Sequence, residues 1–343
     1  MKVSLFVLPC WRPGIAPTLA RFYDELIEMV ALADRTGWTR VWLSEHHFHY
    51  YGGASPNPAI LLTAFARATR TIRLGSGVSL LSLHNPLTIA EDFAMLDQLS
   101  GGRLDFGIGR GYLPHEFEGL GVQQAESTQR FQDAFALIQR AWSGVDPRLE
   151  VLPRPHQPSP PVWVAATRTR DSFEWAGTRG LGLMMNQYPM SRADSETRFG
   201  WYKDAYAKAG HDRAKRRAKM SLFLHIAPTE ERAIAEAKLA VQEHANLFRL
   251  LMTGERWNTN YVGDESVFEF IAPGGDIRAA FRERTLVGTP EQIADRIAYY
   301  QAEGFDELSL LTRYGTMSHA AALANIEAFN AQVRPRLATR AAA

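Results

Sequence analysis

The 343-residue sequence predicts an α/β protein built as a single (β/α)8 barrel of the TIM type, with insertions. Three observations point there. Short β-branched apolar runs alternate with amphipathic helical patterns along the chain. Eight such runs occur, with no signal for a reversal of strand direction. Polar, chemistry-bearing residues stand where runs end, which is where a barrel presents its catalytic groups.

The first strand runs from Val3 to Leu8, and the helix after it carries Phe22, Leu26, Met29 and Ala33 on one face. Gly37 ends that helix, and Arg40 to Leu43 is the second strand, apolar enough to be buried. A helix after Pro58 leads to the third strand, Thr71 to Gly75. Pro86 opens a helix with Ile89, Phe93 and Leu96 facing inward, closed by Gly101-Gly102 before the fourth strand, Arg103 to Gly109. Phe131, Phe135, Ile138 and Trp142 mark a long buried helix face. A Pro-rich stretch at 153–161 is read as an insertion, because strand–helix alternation resumes with Val162 to Ala165. Leu181 to Met184 and Met220 to Ile226 are the sixth and seventh strands. Thr289-Pro290-Glu291-Gln292 is a capping box with proline at the first helical position. Its helix shows Ile293, Ile297 and Tyr300, then Gly304, and Glu307 to Leu311 is the eighth strand.

One stretch breaks the rhythm. Residues 246–285 hold Gly254, Gly263 and Gly274-Gly275 among mixed aromatic and charged residues, with no clean period. So long an irregular segment in a compact domain is either a disordered excursion or an active-site lid, and a lid is expected because it leaves the barrel after a predicted strand. The whole chain, 1–343, is otherwise expected to form one domain.

Composition narrows the function classes. The formal net charge is +1, and Lys215-Arg216-Arg217 is the one short basic block, expected on a solvated face, so no nucleic-acid partner is implied. A single cysteine, Cys10, excludes an intramolecular disulfide framework and fits a reducing compartment. The N-terminus enters a strand pattern at once, so the protein is expected to be soluble and cytoplasmic, with no membrane partner.

The run Trp42-Leu43-Ser44-Glu45-His46-His47-Phe48 places a carboxylate and two imidazoles at the end of the buried second strand. Each needs a polar partner once buried, so packing alone does not account for them. A metal site is not expected. Adjacent His46 and His47 point to opposite faces, no His-Glu-x-x-His occurs, and there is no cysteine cluster. Acid–base work remains, since imidazole titrates near neutral pH.

Two further strand ends suit an anion. Gly107-Ile108-Gly109-Arg110-Gly111 lacks the spacing of a dinucleotide fingerprint, yet its glycines allow close backbone approach and Arg110 offers a bidentate fork. Ala165-Ala166-Thr167-Arg168-Thr169 gives way to a helix, whose N-terminus favours negative charge. Trp11, Phe48, Tyr50, Tyr51 and Tyr112 are candidates for an apolar pocket at the same mouth.

Together these pieces resemble the bacterial luciferase-like flavin monooxygenase family, nearly end to end. The likeness takes in Trp42 to Phe48, Leu74-Gly75 followed by His84-Asn85-Pro86, Ala90-Glu91-Asp92, Leu96 to Ser100 with Gly102-Arg103, the Gly-Arg-Gly turn, and Val287 to Glu291. The resemblance implies a barrel holding reduced FMN (FMNH2), supplied by a separate flavin reductase, that reacts with O2 to form a peroxyflavin and oxygenate a small organic substrate. It also implies a homodimer packed through the helices after the second and third strands. By position, His46 matches the family's catalytic histidine, with Glu45 and His47 as its neighbours and Glu45 or His47 expected to orient it. Arg110 and Thr167 match phosphate contacts, Arg168 shares their turn, and Gly77-Val78 falls where the family has a non-prolyl cis peptide beneath the flavin ring. Residues 246–285 match the luciferase lid. Gly109 stands where luciferase has a reactive cysteine, which is expected to open room for a different substrate, and Ala166 stands where luciferase has an acidic residue. Light emission from a long-chain aldehyde is therefore not implied. Two alternatives stay open: a deazaflavin-dependent dehydrogenase or reductase of the same fold, and a non-catalytic flavin-binding protein. The Glu45-His46-His47 cluster counts against the latter.

Overall fold

Side chains on a strand alternate between faces, and the first two strands divide their residues accordingly. Val3, Leu5 and Val7 join the core shared with the outer helices, together with Val41 and Leu43. Phe6, Leu8 and Trp42 belong to a second cluster that fills the barrel. The computed structural model describes residues 1–145, 151–188, 190–253 and 276–342.

The strands are β1 (Lys2–Val7), β2 (Arg40–Leu43), β3 (Arg73–Ser76), β4 (Ser79–Leu80), β5 (Leu104–Gly109), β6 (Val162–Ala165), β7 (Gly182–Asn186), β8 (Ala218–Ile226), β9 (Leu286–Gly288) and β10 (Glu307–Leu311). The helices are α1 (Leu19–Arg35), α2 (Pro58–Ala68), α3 (Pro86–Ser100), α4 (Pro114–Gly119), α5 (Ser127–Ser143), α6 (Arg170–Thr178), α7 (Arg192–Lys208), α8 (Glu230–Thr253), α9 (Ile277–Arg284), α10 (Pro290–Glu303), α11 (His319–Ala328) and α12 (Arg334–Ala342). Parallel pairing runs β10-β1-β2-β3-β5-β6-β7-β8, and β8 pairs back with β10, so eight strands close. The expected (β/α)8 barrel is the observed one. Its eight strands are those read from the sequence, with ends displaced by two residues or fewer, as strand ends fray.

Two strands had no sequence signal. β4 and β9 have two and three residues, too short for a period, and they extend the upper ends of β5 and β8. The interior is floored by charge. Arg40 at the start of β2 donates from Nε to Asp105 (2.7 Å) and pairs through Nη1 with Glu307, whose Oε1 accepts from Trp42 Nε1 at 2.7 Å. Such groups tolerate burial because their polar atoms are mutually paired. Above them, Trp42 packs where Gly75 has no side chain; a Cβ there would lie 2.2 Å from its ring.

The Pro-rich insertion packs under the barrel, where the Gln157 amide N–H donates to Asp97 at 2.7 Å and its Nε2 reaches Leu104 O at 2.8 Å. The Thr289 capping box is formed: Thr289 N–H donates to Gln292 Oε1 (3.0 Å) and Gln292 N–H to Thr289 Oγ1 (3.3 Å).

The expected irregular segment at 246–285 needs correction at both flanks. Residues 246–253 complete α8, whose Val241, Ala245, Phe248 and Leu251 pack in the barrel-interior cluster, and 277–284 form α9. Leu247, Leu250 and Leu251 continue the helical period of the preceding residues, which the nearby glycines obscured. Residues 254–275, the centre of the expected lid, lie outside the described residues.

Candidate active site

Alternation carries past the end of β2. Ser44 N–H still donates to Val7 O (3.1 Å), so His46 shares the inward parity of Trp42, while Glu45 and His47 share that of Val41 and Leu43. The opposite placement of His46 and His47 read from the sequence is thus present.

On the inner side, His46 Nδ1 lies 3.0 Å from Glu116 Oε1, and the same oxygen accepts the His47 amide N–H at 3.0 Å. Glu116 stands on α4, which Pro114 opens just after the Gly-Arg-Gly turn, and it is fully buried. His115 on the same helix places Nε2 3.2 Å from His47 O. Tyr51 stacks obliquely with its ring 5.3 Å from the imidazole, and Gly52, at φ +72°, leaves the space that His46 Cδ2 fills.

On the outer side, Glu45 Oε1 lies 3.1 Å from His47 Nε2 and 2.5 Å from His84 Nε2, and Oε2 accepts the Leu80 N–H at 3.1 Å. His84 is set there by the turn into α3, where Asn85 caps Leu87 N–H at 2.9 Å and Pro86 begins the helix. Burial would lift the Glu45 carboxyl, but hydrogen bonds from His47 and His84 outweigh it and hold Glu45 below the usual range. Burial likewise opposes charge on His84, and the bond to Glu45 outweighs it, raising the imidazole. The Glu45 and His47 side chains therefore make no hydrogen bond to the His46 ring. The expectation that one of them orients it fails, because their parity turns them away, and Glu116 from a different strand connection makes that contact.

The opposed faces of His46 and His47 do not bear on ligand sets that use only one of them. Glu45, His47 and His84 place one ligand atom each within 4.8 Å of one another, a set that residue alternation permits. As it stands, one carboxylate oxygen serves both imidazoles.

The Gly77-Val78 peptide is cis, as the resemblance led us to expect. Val78 fills the position beside Gly109: a Cβ on Gly109 would lie 2.4 Å from Val78 Cγ2. Gly109 thus admits Val78 and opens no extra room, which corrects the sequence-based expectation.

The anion-suited residues gather on neighbouring strands. Ile108 pairs with Val164, so Arg110 and Ala166 stand level, with Thr167 and Arg168 beside them, all but Ala166 exposed. Arg110 Nη1 donates to Thr128 Oγ1 at 2.8 Å, and Thr167 O accepts from Arg198, a fourth residue the sequence did not single out. Among the described residues no carboxylate pairs with Arg110, Arg168 or Arg198. Uncompensated guanidiniums and a hydroxyl before α6 suit a phosphate dianion.

Of the five aromatic candidates, Tyr51 joins a buried group with His244 and Phe248 at ring distances of 5.2 and 5.6 Å, whereas Phe48 is 54% exposed. His244, Tyr188 and Phe223 were missed, being spread over α8, the turn after β7 and strand β8. Burial alone pushes His244 down to about 3, so it is neutral at physiological pH, and its Nδ1 has no partner among the described residues. Glu116 was equally silent, since Pro114-His115-Glu116-Phe117 matches no motif; His84 stood in the noted His84-Asn85-Pro86 run.

Residues 1–307 match the family model for luciferase-like monooxygenases. The chain belongs to that family. It is 30% identical, over 351 residues, to the oxygenase component of the flavin-dependent trigonelline monooxygenase of Acinetobacter baylyi, covering 98% of this chain and 95% of that one. The crystal structure of the monooxygenase RslO1 from Streptomyces bottropensis superposes with a TM-score of 0.84 at 27% identity, over 98% of this chain and 99% of the other. An F420-dependent secondary alcohol dehydrogenase has a TM-score of 0.73 at 16% identity, over 98% of each chain, a likeness of fold alone. Among the described residues of this family member, no helix is long and apolar enough to cross a membrane.

Proposed function

We propose that the chain is the oxygenase of a two-component system, using FMNH2 from a separate reductase and O2 to oxygenate a small organic substrate in the cytoplasm. The observation that carries this reading is one barrel mouth with two features: His46, whose Nε2 makes no hydrogen bond among the described residues, and the Arg110–Thr167–Arg168–Arg198 group. The relative from Acinetobacter baylyi, described as an oxygenase component, supports the division of labour.

The donor set fits FMN: three guanidiniums with no carboxylate partner among the described residues and a hydroxyl at a helix start suit its phosphate, and Gly77, Val78 and Gly109 would line its ring. Reduced FMN, when bound, supplies the two electrons with which O2 is activated. Arg110, Thr167 and Arg168 hold the phosphate. His46 gives or takes a proton at Nε2. Glu45, held by His47 and His84, fixes Leu80 and so the strand that follows the cis peptide. Ile60 on α2 with Met95 and Leu99 on α3 are exposed large apolar side chains on adjacent helices, and they support a homodimer through that face.

The test supplies the purified protein, in air, with photoreduced FMN or with a reduced deazaflavin, alongside a panel of small ring and open-chain acceptors. Oxygen incorporated into an acceptor with FMNH2 alone is expected. Hydride transfer with the deazaflavin and no oxygen insertion would favour the dehydrogenase reading, and flavin binding without turnover of any acceptor would favour a storage protein.

A further inference from the structure

We infer that Glu116 is the positioning residue of this site, fixing the tautomer of His46 so that Nε2 carries the lone pair that faces the reacting atoms. An amide N–H only donates. Because Glu116 Oε1 accepts the His47 N–H at 3.0 Å, that oxygen is an acceptor, and the His46 Nδ1 that shares it at 3.0 Å must bear the proton. In the neutral imidazole, Nε2 is then the basic nitrogen. The carboxylate is 1% exposed and belongs to a helix joined to residues 46 and 47 by three contacts: Nδ1 of His46, the amide of His47, and the carbonyl of His47 through His115.

A second observation separates this role from simple packing. Glu116 Oε2 is buried and has no partner among the described residues. A buried acceptor left unpaired carries a cost, so packing alone does not account for a carboxylate at this position. A carboxylate offers only acceptors, and only acceptors leave His46 one tautomer. Gly52 and Tyr51 hold the ring from the other side, so the imidazole is fixed in plane as well as in protonation.

The proposal rests, for its catalytic meaning, on His46 as the acid–base group, so its test has an arm that needs no flavin. Full-length protein labelled with 15N-histidine is studied by long-range nitrogen–proton correlation at pH 8, with His46 assigned from its loss in His46→Gln. The parent should show His46 protonated on Nδ1. Glu116→Ala should shift it to a mixture or to Nε2–H, and Glu116→Asp should retain Nδ1–H wherever the shorter side chain still reaches. His115→Ala, which removes only the third contact, should leave the tautomer unchanged. In turnover with FMNH2, Glu116→Ala should lower kcat on the order of 10²-fold while FMNH2 affinity changes less than about twofold, with partial rescue by Glu116→Asp. If Glu116→Ala does not fold, Glu116→Leu decides the same question, since it fills similar space and offers Nδ1 no acceptor. An Nε2–H tautomer in the parent, or an unchanged one in both Glu116→Ala and Glu116→Leu, overturns the proposal. A parent inactive with FMNH2 sinks the flavin reading and leaves the nuclear resonance result to decide this one.

Discussion

His84 sets its Nε2 2.5 Å from Glu45 Oε1 across 39 positions of chain, joining the loop before α3 to the end of β2. Against burial, bonds from His47 and His84 hold Glu45 below its ordinary value of 4.5, and the bond to Glu45 lifts His84 above its ordinary 6.5. A lowered carboxylate contributes stability above its unfolded value and loses it as pH falls through the folded one. A raised imidazole contributes below its unfolded value and loses it as pH rises through the folded one. Both contributions are complete between 4.5 and 6.5. His84→Ala should therefore cost about 1.5–3 kcal/mol near the middle of that window, and less at pH 9. Thermal denaturation of parent and variant across pH 5–9 measures it, and a gap independent of pH would reduce the contact to packing.

Arg110 bears on cofactor choice. A charge-assisted contact to a phosphate dianion contributes about 1.5–3 kcal/mol, so Arg110→Ala should weaken FMNH2 roughly tenfold or more. Riboflavin, which lacks the phosphate, should bind the variant nearly as well as the parent. Anaerobic titrations with both ligands decide it; equal losses would move Arg110 out of the phosphate site.

The apolar face of α2 and α3 gives a prediction about assembly. Ile60 is 71% exposed and Met95 49%. If a second copy covers them, Ile60→Asp with Met95→Glu should convert a dimer to a monomer in sedimentation velocity, with the barrel's circular dichroism retained. A parent that sediments as a monomer at micromolar concentration would contradict the dimer.

The barrel was legible because its signal is local. Strand and helix periods survive in any residue run long enough to show them, as in Phe22, Leu26 and Met29 or Val162 to Ala165, and β4 and β9 escaped notice by having two and three residues. The first half of the site was legible too, since Glu45, His46 and His47 are contiguous and alternation assigns their faces. What pairs with them was not. Glu116 reaches His46 from 70 positions away and Arg198 reaches Thr167 from 31, and neither distance leaves a pattern in one sequence. Gly109 shows the same limit: a missing side chain reads as space until the neighbour that fills it, Val78, is placed.

We propose that His46, and not its outward neighbours, moves the proton in oxygen transfer. It is tested most directly by product and hydrogen peroxide formed per FMNH2 oxidised, in His46→Ala beside His47→Ala. His46→Ala should bind FMNH2 normally, lose product about 10²-fold or more, and release the consumed oxygen as hydrogen peroxide, while His47→Ala keeps most of its coupling. Normal product yield from His46→Ala, with failure of His47→Ala, would contradict it.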